Sequence, residues 1–139
     1  MTRNILIHMF YTLIVSIILN VAVFFIGQAF GVSFAADVPG ASSIPVSAVV
    51  IASAIGAVVG CLGFWILGFI AGDKQRIWFI WLATIIGLIS MIGPWNVSGD
   101  LPTMGFLGLM HVVSVLVMTW YLGVWVPRYV TPEAAAYSA

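Results

Sequence analysis

Four stretches free of Lys, Arg, Asp and Glu, at residues 5–30, 46–70, 77–94 and 104–126, constrain this chain more than any other feature. A helix needs roughly 20 apolar residues to cross a hydrocarbon core. The first two stretches are long enough to tilt, and the third, the shortest, spans with little tilt. The cationic residues fall only in the gaps. Arg3 precedes the first stretch, Lys74 and Arg76 separate the second from the third, and Arg128 follows the fourth. Lys and Arg in short loops stay cytoplasmic, which predicts four crossings with both termini inside. The loops at 31–45 and 95–103 are then external, and the cytoplasmic side holds a loop at 71–76 and a tail at 127–139. With 63% hydrophobic and 6% charged residues, the chain lacks the polar surface of a soluble domain. The expected fold is all-α: one integral membrane domain, a four-helix bundle with antiparallel neighbours. The shortness of the 71–76 connection makes the second and third helices a tight hairpin.

The first stretch competes with a signal peptide, since Arg3 leads into it and Ser33-Phe34-Ala35 resembles a cleavage site. Signal cores run only about 7–15 residues, so a retained span is expected. In the first external loop, Asp37, Pro39-Gly40 and Ser42-Ser43 supply turn chemistry, and Val32 and Phe34 are expected on the bilayer interface. Pro45 is placed as a first-turn proline behind Ser42 or Ser43 as cap. Trp95 is an expected interfacial anchor. Asn96-Val97-Ser98 matches a glycosylation acceptor, a common chance match.

A net charge of zero and the lack of a basic run argue against nucleic acid or an anionic lipid surface as a main partner. Cys61, the single cysteine, lies mid-span and reads as a small apolar packing residue. No catalytic residues are assigned: the spans hold no acid or base other than histidine, and no catalytic triad or metal-ligand spacing is present. Ion-coupled transport is disfavoured for the same reason. Asp37 and Asp100 read as solvated turn residues.

Two patterns remain. The second helix carries Ala48, Ala52, Gly56 and Gly60 at four-residue spacing, a seam permitting close backbone approach. It serves either packing within the bundle or association with a second copy or partner subunit. The first helix carries His8, Thr12, Ser16 and Asn20 on one face. Asn20 lies about nine residues in from Ala29 and His111 about eight in from Thr103, so both sit roughly 12–14 Å below the outer helix ends. With Ser53 and Ser90 they form a geometrically possible polar cluster, read either as hydrogen-bonded glue or as a ligand site. His8 lies about 18 Å along the helix from Asn20, so His8 and His111 cannot share one haem. No cofactor or metal is predicted, although His111 alone could be the single axial ligand of a porphyrin or chlorin.

Taken together, Asn20, Pro39-Gly40, the glycine-rich second helix, Lys74 with Arg76, Gly93-Pro94 and Met110-His111 resemble an uncharacterised family of four-span bacterial membrane proteins, the domain of unknown function family 6069. The likeness covers nearly the whole chain, which has fewer basic residues in its cytoplasmic connection than that family's pattern. The resemblance implies a bacterial inner-membrane bundle and no activity. The leading expectation is a non-catalytic accessory or assembly subunit of a membrane complex. The alternative is a binding protein for an apolar small molecule such as a quinone, lipid or pigment, in an outward-facing pocket. A small transporter comes third.

Overall fold

The computed structural model describes residues 2–38, 40–97 and 100–126 of the chain. Helix α1 spans Thr2–Ala29, followed by a hairpin of β1 (Ala35–Val38) and β2 (Ala41–Ser43). Helix α2 spans Val46–Ala71, a 3-10 turn covers Gly72–Lys74, and α3 spans Gln75–Ser90. A short α4 (Ile92–Val97) and α5 (Leu101–Trp120) follow, and α5 runs on as a π-helix over Tyr121–Trp125. Three helical stretches are long and apolar enough to cross a membrane: Leu6–Ala29, Val46–Val97 and Leu101–Trp125. This is a helical membrane protein. Arg128 and the rest of the 127–139 tail, Pro39, and Ser98 of the glycosylation match lie outside the described residues.

Local chemistry accounts for most of the boundaries. The first helix stops in a Schellman motif: Gly31 has φ +81°, its N–H donates to Gln28 O at 2.9 Å, and the Val32 N–H donates to Gly27 O at 3.0 Å. This turns the chain back over the helix ends instead of out along the bilayer, and Val32 and Phe34 are buried, not interfacial. Pro45 stands at the N-cap position of α2, not in its first turn, and no side chain caps the helix, because Ser42 and Ser43 belong to β2. The third helix ends at Ser90, earlier than the 77–94 span. Pro94 has no N–H to return to the Ser90 carbonyl, and its ring crowds that turn. Trp95 consequently sits in α4, not in a loop, and is exposed.

The first helix packs against α2 and α5, and α3 packs against the same two. The interior divides into three layers. At the hairpin end, Phe24, Val32, Phe34, Val49 and Met110 form one apolar cluster. At the end carrying the Gly72–Lys74 turn, Ala57, Cys61, Phe64, Phe79, Met118, Leu122 and Val126 form another. Between them, one helical turn from each, lie Asn20, Ser53 and Ser114. Outward faces carry large apolar side chains such as Ile55, Phe69, Ile86 and Leu116, the arrangement expected where the solvent is hydrocarbon.

Candidate functional site

The polar layer is built by four-residue spacing. On α1, Thr12, Ser16 and Asn20 are buried to 2% exposure or less, so the polar face read from the sequence is the interior face. Asn20 reaches across to two helices: its Nδ2 donates to Ser53 Oγ of α2 at 2.9 Å and to Ser114 Oγ of α5 at 2.8 Å. Ser114 in turn donates to the Met110 carbonyl of its own helix at 2.9 Å. One carboxamide thereby joins three helices, in a setting where an unpaired amide would cost several kcal/mol, on the order of 2–7.

Of the expected cluster, Asn20 and Ser53 are brought together, whereas Ser90 and His111 hydrogen-bond elsewhere. Ser90, at the last residue of α3, donates to Gly87 O at 2.7 Å. His111 Nδ1 lies 2.8 Å from Leu107 O. A carbonyl can only accept, so Nδ1 carries the proton, and in the neutral ring Nε2 keeps the lone pair through which a metal would bind. Ser114 takes the place expected of His111. His111 lies eight residues in from Thr103, but α5 begins two residues earlier, at Leu101, and the Asn20–Ser114 bond sets Ser114, not His111, level with Asn20. A helical wheel offered the signal: Ser114 lies three residues from His111, on an adjacent face.

Three buried oxygens, Ser16 Oγ, Asn20 Oδ1 and Thr103 Oγ1, have no hydrogen-bond partner among the described residues. Ser16 and Asn20 are one turn apart on the same face of α1. Above them Phe34 closes the hairpin end. Its backbone is left-handed, at φ +48°, a conformation costing roughly 1–3 kcal/mol outside glycine. Its ring is 1% exposed, stacks on Phe24 at a 4.4 Å centroid distance and meets Phe106 edge-on at 6.2 Å. Gly27 makes room for it: a Cβ there would lie 2.7 Å from Phe34 Cζ.

The second-helix seam divides between two faces. The buried stripe is Val49, Ser53, Ala57, Cys61 and Phe64, one residue on from the small-residue series. Gly60 lies directly against Met118 of α5, and Gly56 lies within ordinary contact of it, so these two admit a neighbour within the chain. Ala48 is half-buried and Ala52 exposed. Further along, a Cβ at Gly63 would meet no atom within 4 Å, so Ala52 and Gly63 are small residues that leave space on the outer side of α2. Among the residues expected to set the topology, Lys74 and Arg76 are exposed beside the turn, and Arg3 lies in the first turn of α1. No group of three or more His, Cys, Asp or Glu side chains is placed to hold a metal among the described residues.

A family profile described as "Family of unknown function (DUF6069)" matches residues 1–126. No curated protein and no solved structure gives a significant match.

Proposed function

The chain belongs to this family of unknown function, DUF6069, and from that premise we propose that it is a non-catalytic accessory subunit of a bacterial inner-membrane complex. The observation that carries this reading is the use made of the interior: Asn20, the most demanding polar group, ties α1 to Ser53 and Ser114. Phe34 closes the hairpin end above it, which disfavours an outward-facing pocket for an apolar small molecule. The outer face of α2, with Ala52 and Gly63, is the face for a partner helix, by the close approach that small residues allow in lipid.

In this reading the chain crosses four times with both termini inside, as a four-helix bundle. Helix α3 alone, at 16 residues, is about 24 Å long, short of a ~30 Å hydrocarbon core. Continuation through α4 to Val97 supplies the remainder. Support for the orientation comes from the exposed Lys74 and Arg76 at the α2–α3 turn. Cysteines introduced singly at Lys74 and Asp37 test it: an impermeant thiol reagent applied outside is expected to label D37C and spare K74C, and the reverse pattern would overturn it.

Native mass spectrometry of the chain, purified from its own membrane in mild detergent, tests the role. A larger membrane subunit is expected to co-purify and to be lost in Gly63→Leu, a change to an open outward position that leaves thermal unfolding unaltered. A monomer carrying a stoichiometric quinone or pigment, released by His111→Ala, would replace this reading with a binding protein.

A further inference from the structure

At the end of the molecule that carries the Gly72–Lys74 turn, an apolar groove of about 450 Å³ lies between α1, α3 and α5. It is open along one side and not enclosed. Val15 and Leu19 form one wall and Ile80 another, and the third runs from Leu116 past Tyr121 to Val124. That third wall extends about 12 Å along the helix axis. It includes the π-helix of Tyr121–Trp125, a departure from α-helical winding that is frequent at functional sites.

Shape and charge together identify the occupant. The lining runs along the helices and is almost wholly apolar, so it suits an extended hydrocarbon chain. Arg76 lies one turn before Ile80 on the same face of α3. Arg76 is exposed, and helical side chains lean toward the helix N-terminus, which here is the direction of the turn and, in a membrane, of the head groups. Lys74 is exposed two residues earlier, and Asp73 is the one acid of the turn, leaving the turn cationic. Tyr121, half-buried in the wall, belongs to a residue type that favours this interfacial depth.

We propose that the groove holds one acyl chain of an anionic phospholipid whose phosphate is bound by Arg76. Basic sites between membrane helices select anionic head groups in this way. A single such molecule needs no basic run, only a guanidinium at the mouth of an acyl-sized cleft. The site stands apart from the outer face of α2 and requires only that the chain be embedded in a membrane.

The test is native mass spectrometry of the full chain in detergent, with equimolar palmitoyl-oleoyl phosphatidylglycerol and phosphatidylcholine. One retained lipid is expected, with phosphatidylglycerol preferred by roughly fivefold or more, the scale of one basic residue near a membrane surface. Arg76→Gln, at an exposed site that leaves the fold intact, is expected to lower that preference about fivefold while a lipid is still retained. Leu116→Trp, which fills the groove, is expected to abolish retention of both lipids, with folding checked by thermal unfolding. Equal retention of the two lipids by the unaltered chain, or an unchanged preference in Arg76→Gln, would overturn the proposal. So would stronger lipid retention after truncation beyond Val126, which would make the tail the occupant of the groove.

Discussion

The two ends of the molecule solve the problem of covering a helix interior differently. At the hairpin end the connection between α1 and α2 is long enough to fold back, and it drives Phe34 between Phe24 and Phe106 at the expense of a left-handed backbone. At the other end α2 and α3 are joined by the short Gly72–Lys74 turn, which has no residue to send inward, and a groove persists beside α5. Both ends hold a buried cluster, but at the hairpin end an inserted ring completes it, whereas at the other end the groove beside it is left to helix flanks that lipid can cover. The Phe34 site should be intolerant of change and the groove wall forgiving.

The largest expected effect is at the inserted ring. Phe34→Ala should lower stability by about 3–5 kcal/mol, the usual range for emptying a packed aromatic site, measured by denaturant titration in detergent. Gly27→Ala comes next, at about 1–3 kcal/mol, because overpacking at a close approach displaces a ring with nowhere to go. Asn20→Ala should cost about 0.6–2 kcal/mol, the span of measured polar contacts between membrane helices. It removes two interhelical bonds but also relieves the buried Oδ1, which has no hydrogen-bond partner among the described residues. Smallest is Val15→Ala, in the groove wall, at below ~1 kcal/mol, because acyl chains can follow the altered surface. A loss at Val15 as large as that at Phe34 would erase the contrast between the ends. A loss at Asn20 exceeding that at Phe34 would place the keystone of the fold in the polar layer.

The sequence displayed the parts that obey a period. The four-residue series Thr12, Ser16, Asn20 marks the interior face of α1 because a polar face is conspicuous in an apolar helix, and Ser53 follows at matching depth. The start of α2 was legible to within a residue: Pro45, read as a first-turn proline, is its N-cap. What escaped were features set by contacts between elements. The strands of the 35–43 hairpin are poor in β-branched residues, so nothing local announces them; Phe34 and the Ile44 N–H to Phe34 O bond at 2.8 Å hold them in place. Histidine drew attention to position 111 by its chemistry, while Ser114, an unremarkable helix residue, met Asn20 because α5 is displaced along its axis relative to α1. Axial offset between helices leaves no mark in either sequence. Small residues on α2 were visible as a series, but only the position of Met118 separates Gly60, which faces inward, from Gly63, which does not.

The joint between α2 and α3 also bears on biogenesis. Gln75 Nε2 donates to Phe64 O at 2.7 Å across the hairpin, through space left by Gly68, and Phe64 meets Phe79 edge-on at 5.0 Å. All four residues fall within one short length of chain, so this pair of helices can form these contacts before α5 has been synthesised. The nascent hairpin can leave the insertion machinery with its joint made, while Ser53 and the glycines facing Met118 wait for α1 and α5.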